Sequence, residues 1–341
     1  MPNYNLVRFH FNGAVRLGTG SNDQSSSTGR LHSDTLASAL YMMILELYSN
    51  EIATQFMNKV KLSGAFPYIV NNSNNFEYFI PKPFFSGKFP FTFVLNEDDV
   101  KKNKKVQWWP ISAISDYNQG LSKKGDLAGY EINTSLPEFI IPKGLIPKNS
   151  ADNEHSKAVK TEEVRTRIQH DMVEDTVPYT VLADRYADKS GLYMMYEFTD
   201  NKPINGLDQK TIITAALRLL ADTGIGNDRT VGYGLFSPAF DSLHIYTANI
   251  SQKSIVLGNY NPLVDDNDEL THLLQGASYG LAWRGGWYTG LADKLSLKQK
   301  ALFFTEGSTF SNFKPGRIID LTTPQIGHPV YRHGNPIAIT I

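Results

Sequence analysis

The sequence predicts an α+β protein, and three observations carry that class. Asn5–Phe11 alternates as a half-buried strand does, and a helical pattern follows it. A second helical pattern (Ile212, Ile213, Ala216, Leu217, Leu219, Leu220) runs into a glycine-rich turn and then a strand-like stretch. After Phe240 the same kinds of segment return, as strand, short helix and further strands. The order predicts two ferredoxin-like (RRM-like) domains, residues 1–240 and 241–341. The first would hold a long insertion over about residues 60–190.

In the first strand Val7, Phe9 and Phe11 point one way, and Leu6, Arg8 and His10 the other. Residues 13–29 are rich in Gly, Ser, Thr and Asn and read as a loop. A helix follows with Ser33 as the expected N-cap and Asp34 in its first turn. Its buried face is expected to be Leu36, Leu40, Met43, Ile44 and Leu47. Short strands at 66–70 and 75–80 alternate with loops, a charged run at 97–105 and a polar stretch near 150–157. Leu192–Phe198 reads as a strand, and 208–222 as a helix capped by Asp208 and ended by Gly224. Strands are expected at 232–238, 243–250, 279–287, 301–305 and 336–341, with a short helix at 269–275.

At 341 residues the chain has room for two domains. The 41% hydrophobic and 20% charged fractions describe a globular protein with a substantial core. A net charge of −1 excludes a global basic field, though not RNA held through local loops inside an assembly. There is no cysteine, which removes disulfides, Cys-based zinc sites and thiol nucleophiles. The longest apolar run, Leu36–Leu47, is interrupted by Ser38 and Glu46 and falls short of the roughly 20 residues that span a bilayer. The N-terminus opens into a strand, so no signal peptide is expected, and a cytoplasmic location without membrane contact is the expectation.

Between Gly224 and Gly234 the chain reads G-I-G-N-D-R-T-V-G-Y-G, two G-x-G pairs flanking Asp228 and Arg229. Glycines allow φ > 0 and close backbone approach, so amide groups here can meet a phosphate chain. The loop follows a helix rather than opening one, and it matches neither G-x-G-x-x-G nor a P-loop. A tight helix-to-strand turn is the plainer alternative. Arg165 and Arg167 alternate with Val164, Thr166 and Ile168 as on one strand face, offering planar forks for phosphates or bases. Pairing to Glu162 and Glu163 on a surface hairpin is the alternative there. His170, Asp171, Glu174 and Asp175 can hold a metal only if a fold aims them together; a solvated charged loop is the plainer expectation. His10 and His32 are the candidate general acid/base groups, and no companion base stands at a convincing spacing. Arg284, Arg317 and Arg332 lie among Gly, Pro and aromatic residues as interface or RNA anchors.

Together these features resemble the RAMP proteins of CRISPR systems. The motifs are the Gly224–Gly234 loop, Leu31-His-Ser-Asp-Thr-Leu36, Arg165-Thr-Arg167, Arg284-Gly-Gly-Trp287, Glu306-Gly-Ser-Thr-Phe310 and Gly327-His-Pro-Val-Tyr-Arg-His-Gly334. Their order is similar to that in the fourth-subunit family of type III-A (Csm) effector complexes. The segment at 97–160 matches nothing in that pattern.

The resemblance implies a non-catalytic subunit without cofactor or metal that holds the 5′ handle of the crRNA. It implies a bridge between a large polymerase-nuclease subunit and a backbone RAMP subunit, near the target RNA. The implied RNA contacts are Gly224, Gly226, Asp228, Arg229, Gly232, Tyr233 and Gly234 in the loop, with His32, Ser33, Asp34 and Thr35 at the helix start and Arg284. A thumb from Arg165 to about Tyr186, including Arg167, would wedge Val177, Pro178 and Tyr179 against the RNA. The rival is a metal-independent endoribonuclease of the same superfamily, acting through His10 or His32.

Overall fold

The computed structural model describes residues 3–18, 30–71, 73–85, 104–119, 129–132, 136, 138–143, 145, 159–169, 177–247, 253–289, 295–323 and 329–341. The mixture of helices and strands agrees with the predicted α+β class. Strand β1 (Asn3–Phe11) buries Tyr4, Leu6, Val7, Phe9 and Phe11 and leaves His10 exposed. A two-residue strand β2 (Ala14–Val15) follows, where the sequence suggests only loop. Helix α1 (Ser33–Leu47) buries Leu36, Leu40 and Ile44, while Leu47 is exposed, contrary to expectation. Helix α2 (Asn50–Lys59) was not legible; its Ser49 side chain accepts from the Ile52 amide as an N-cap.

Four strands follow: β3 (Val60–Leu62), β4 (Phe66–Val70), β5 (Phe76–Pro81) and β6 (Trp108–Pro110). Next come α3 (Ile111–Asn118) and the short pair β7 (Tyr130–Ile132) and β8 (Ile140–Pro142). Two long strands, β9 (Lys160–Gln169) and β10 (Val177–Tyr186), form an antiparallel hairpin in which Arg165 faces Val181 and Arg167 faces Tyr179. Then come β11 (Ser190–Phe198), α4 (Gln209–Thr223), a single 3-10 turn at Arg229–Val231 and β12 (Phe236–His244).

The main sheet runs β12-β1-β11-β4-β5-β6, every neighbour antiparallel, with β3 also paired to β11. Helices α1 and α4 pack on it and on each other, burying Ile212, Ile213, Ala216 and Leu217 against Val7, Phe9, Leu36 and Leu40. Residues 60–81 therefore belong to the central sheet and not to an insertion, which corrects that part of the expectation. The expected strands at 232–238 and 243–250 are also corrected. One strand, β12, pairs with β1 from Phe11↔Phe236 to Asn3↔His244 and crosses residue 240. Its Pro238 is accommodated because β12 is an edge strand.

The C-terminal segment holds β13 (Ser254–Val256), α5 (Asn267–Leu274), β14 (Leu281–Arg284), β15 (Trp287–Thr289), β16 (Leu295–Leu297), β17 (Ala301–Phe304), β18 (Thr309–Phe310), β19 (Arg317–Asp320), β20 (Tyr331–Gly334) and β21 (Ala338–Thr340). They form a three-stranded sheet β18-β13-β21 and the pairs β14-β17, β15-β16 and β19-β20. Tyr260, Leu273, Phe304 and Phe310 make a separate small core. The segment is tied to the first half through its backbone: the Gly64 amide donates to Leu257 O at 2.7 Å, and the Ile337 amide to Leu62 O at 3.3 Å. Gly258 sits where a Cβ would lie 2.7 Å from Leu62 O, so this close approach requires glycine. No helix among the described residues is long and apolar enough to cross a membrane.

Candidate nucleic-acid interface

The glycine-rich loop starts where α4 must stop. Asp208 caps that helix, accepting from the Thr211 amide at 3.0 Å, and Gly224 ends it with φ +81°. Gly226, Gly232 and Gly234 also have positive φ, and so does Asp228 at +60°. At Gly234 a Cβ would lie 1.9 Å from Ile225 O, and at Gly226 it would lie 2.4 Å from Arg16 O. Sterics therefore demand these two glycines. Many of the loop's amides are turned inward: Ile225 N donates to Gly234 O, Asn227 N to Arg16 O, Gly232 N to Arg229 O and Gly234 N to Ala14 O. An amide cradle built from the whole loop is thus corrected, since two of these donors close the loop on itself and the other two tie it to Arg16 and to Ala14 of β2. What the fold leaves exposed is the crest, Arg229, Thr230, Val231 and Gly232. Asp228, at its base, holds Arg16 at 2.7 Å instead of facing outward freely.

The hairpin docks on the other edge of the same short strand, with Asp184 opposite Val15 and Arg185 opposite Ala14. Ala14, Val181, Ala183 and Tyr233 form a small apolar cluster with Tyr179 packed against it. The Arg165 guanidinium carbon lies 5.2 Å from the Tyr233 ring centroid. Arg165 also pairs with Glu163, and Arg185 donates to Glu163 through Nε at 2.9 Å and Nη2 at 2.7 Å. Desolvation raises the Glu163 pKa, but Arg185 and Arg165 outweigh it and hold the carboxyl below its usual range. Two arginines thus share one carboxylate beside the exposed crest that carries Arg229.

The expected wedge residues divide. Pro178 is exposed, whereas Tyr179 is half-buried against the cluster under the hairpin. Val177 faces Gln169, Pro178 faces Ile168 and Tyr179 faces Arg167 in the hairpin register. The acidic group His170, Asp171, Glu174 and Asp175 lies outside the described residues.

The start of α1 is a second locus, and here the structure corrects the sequence. His32, not Ser33, occupies the N-cap, and it makes no side-chain cap bond. The Ser33 hydroxyl instead accepts from the Asn259 amide at 2.8 Å. The Asp34 carboxylate is fully buried and accepts from Arg284 at 2.9 and 3.1 Å, Arg332 at 2.7 Å and Asn259 Nδ2 at 2.9 Å. Burial raises its pKa, yet Arg284, Arg332 and His32 dominate and hold it below the usual carboxylate range. Ser33 and Asp34 are thus enclosed by the chain itself, and only Thr35 of the three is exposed. His32 Nδ1 stands 3.2 Å from Glu306 Oε1, a carboxylate neighbour that no sequence spacing announced. His333 is fully enclosed, its Nε2 3.0 Å from Val60 O, and burial pushes its pKa down to about 4.

Sequence reading singled out neither Arg16 nor Asn259, whose partners lie more than 200 positions away, and it gave Arg185 and Glu306 only as members of longer segments, without their carboxylate and histidine neighbours. Arg317 bonds Asn261 Oδ1 at 2.7 Å. On the sheet's outer face Arg8 bonds Tyr78 at 2.7 Å and Asp241 at 2.8 Å. Among the described residues no group of three or more His, Cys, Asp or Glu is placed to hold a metal.

Residues 250–341 match the family model of the CRISPR Csm4 C-terminal domain, the segment that contributes Asn259, Arg284, Glu306 and Arg332 to the second locus. The chain is 27% identical to the CRISPR system Cms protein Csm4 of Thermococcus onnurineus over 305 residues, 88% of each protein. The chain is thus similar to Csm4 proteins over most of its length, and its C-terminal segment matches their family model. The Csm4 protein of Methanocaldococcus jannaschii is 25% identical, with 97% of this chain and 94% of that protein covered. Csm4 of Streptococcus thermophilus is 23% identical, with 98% and 97% covered. The fold is similar to a chain in the crystal structure of a Csm3-Csm4 subcomplex of the type III-A CRISPR-Cas interference complex, with TM-score 0.66, 18% identity and 99% of each chain covered. It is also similar to a chain of a Csm1-Csm4 cassette crystallised with cA4, with TM-score 0.56, 18% identity, and 100% and 98% coverage.

Proposed function

We propose that this chain is a subunit of a type III-A Csm effector complex and holds the 5′ handle of the crRNA between its glycine loop and its β9–β10 hairpin. The observation that carries the RNA reading is convergence on β2. That two-residue strand seats the loop and the hairpin side by side, with Arg165 of the hairpin over Tyr233 of the loop and Arg229 exposed on the loop's crest. A single strand of RNA is gripped through such local cationic and aromatic groups, which agrees with a net charge of only −1. Arg167, Pro178, Thr35 and the crest glycine Gly232 belong to the same reading as backbone and base contacts, with target RNA close by.

Support for a bridging role comes from similar structures, in which a Csm4 protein is found with Csm1 in one and with Csm3 in another. We read these partners onto this chain as the large polymerase-nuclease subunit and a backbone RAMP subunit. The fold reading is that residues 1–240 and 241–341 are two ferredoxin-like units. The order β12-β1-β11-β4 with α1 and α4 on the sheet supports the first of them. Retention of end-labelled crRNA by the reconstituted complex tests the RNA site. Arg229→Glu combined with Arg165→Glu is expected to lower handle-dependent retention at least tenfold; unchanged retention would overturn the assignment.

One observation favours testing a ribonuclease as the second reading: Glu306 stands beside His32 as the companion carboxylate that an acid/base histidine needs. The expected outcome is that purified chain in chelator leaves repeat RNA intact. A discrete cut lost in His32→Ala would replace the non-catalytic reading.

A further inference from the structure

The face of the main sheet turned away from α1 and α4 carries aromatic chemistry that the β2 locus does not use. Strand β1 sends Val7 and Phe9 to the helices, so Arg8 and His10 stand on the opposite face. Arg8 lies opposite Tyr193 of β11. Two positions earlier on β11, Gly191 lies opposite Tyr68, which in turn lies opposite Tyr78. Phe76 precedes Tyr78 by two positions on β5 and shares its face. A Cβ on Gly191 would lie 2.8 Å from Tyr68 Cε1, so the bare backbone there admits the Tyr68 ring.

Phe76, Tyr78 and Tyr68 thus form one aromatic strip. The Phe76 and Tyr78 rings are nearly parallel, at 10° with centroids 6.0 Å apart, and Tyr68 stands 5.9 Å from Phe76. The Arg8 guanidinium carbon lies over the Phe76 ring, 4.0 Å from its centroid. Arg8 is itself fixed, donating to Tyr78 at 2.7 Å and to Asp241 at 2.8 Å, which also offsets the Asp241 charge. Phe76 is therefore held by a fixed cation on one face, yet it is 42% exposed. A lone exposed phenylalanine needs no explanation. One clamped by a guanidinium, in a strip of three rings, is ordered in advance for a flat partner.

The strip lies at the end of the sheet where the chain passes to the RNA locus. Strand β1 runs through His10 and Phe11 toward β2, and β10 of the hairpin leads directly into β11. At that junction the Val70 amide donates to Lys189 O at 2.8 Å, and Val70 lies opposite Phe76. Only strand β4 thus separates the exit of the hairpin from Phe76, two strand spacings or about 10 Å. RRM-type modules stack two or three bases on the aromatics of such a sheet face, and stacking needs a π-face and not a particular base.

We propose that Phe76, backed by Arg8, is a stacking platform for one unpaired base of the crRNA handle, continuous with the β2 locus. The inference rests on the reading of this chain as the handle-holding subunit and adds a particular base contact to it.

The test loads the reconstituted complex with crRNAs that carry 2-aminopurine at one handle position at a time, and reads both fluorescence and retention. Phe76→Ala is expected to raise the emission of one handle position several-fold and to lower retention about tenfold. Phe76→Trp keeps a flat ring and is expected to match the wild type. Phe76→Leu keeps apolar bulk without a π-face and is expected to match Phe76→Ala. Wild-type behaviour of Phe76→Leu would reduce the ring to packing and overturn the platform. Unchanged emission and retention in Phe76→Ala, while Arg229→Glu with Arg165→Glu still releases the RNA, would overturn the platform and leave the handle reading intact. Emission that responds only when the analogue sits in the target RNA would overturn the handle contact. If neither Phe76→Ala nor the double-arginine variant loses RNA, the handle reading fails and the platform fails with it.

Discussion

Asp34 shows how a single residue can hold two parts of the chain together. Its carboxylate lies on α1, while Arg284, Arg332 and Asn259 all come from beyond residue 250. Replacing Asp34 by Ala leaves the buried Arg332 and the half-buried Arg284 without their anion, so a loss of about 3–5 kcal/mol is expected from denaturant unfolding. Asp34 was legible as a notable residue from its place in a helix first turn, but its partners, about 250 and 300 positions away, were not. Glu77 and His333 give a pH signature. Burial lifts Glu77 to about 7 despite its bond from Ser112, and lowers His333 to about 4. The depressed His333 contributes stability above its unfolded value near 6.5, which is lost as pH falls toward 4. The raised Glu77 contributes stability below about 4.5, which is lost as pH rises toward 7. Between roughly pH 4.5 and 6.5 the two slopes oppose each other, each at most about 1.4 kcal/mol per pH unit. Relative to wild type, Glu77→Gln should gain stability with rising pH in that window, and His333→Gln should lose it. Parallel stability curves for all three proteins would show that neither group titrates as described.

Among the elements, the glycine loop is the one whose sequence pattern carried most. Its place after a helix and before a strand, and its positive-φ needs, were legible from the spacing of Gly224, Gly226, Gly232 and Gly234. The use of its amides was not, because their acceptors Ala14 and Arg16 lie in a stretch that reads as loop. Gly234→Ala would push a Cβ onto Ile225 O at positive φ, so a cost of at least about 2 kcal/mol is expected, and with it disorder of the crest bearing Arg229. Gly232→Ala, where a Cβ meets nothing within 4 Å, carries only the φ strain and should cost about 1 kcal/mol. Thermal melts of the pair measure the difference, and equal effects would contradict the packing argument. The first strand of the hairpin was legible from the alternation around Arg165 and Arg167, while its return strand was expected only from the family resemblance. Strand β12 was misread because Pro238 and several partly exposed positions break its alternation, although the register with β1 holds throughout. Helix α2 escaped notice because few of its positions are apolar; Ala53, Phe56 and Met57 alone are buried.

Over the whole molecule, chemistry is distributed and not concentrated. Arg16, Arg165 and Arg185 meet Asp228 and Glu163 where β2 joins the glycine loop to the hairpin, and Arg284 and Arg332 meet Asp34 where the C-terminal segment closes on α1. No described metal cluster competes with them. Such a layout suits a part that is held in place by RNA on one side and protein on another. On the proposed reading, the loop and the hairpin together hold the crRNA handle. The most direct measurement is site-specific crosslinking of handle nucleotides in the reconstituted complex, with a photoreactive residue at position 229 and, separately, at position 178. On that reading, crosslinks from both positions to the handle, and none to the distal guide, are expected. Crosslinks that map only to the distal guide, or to protein alone, would contradict it.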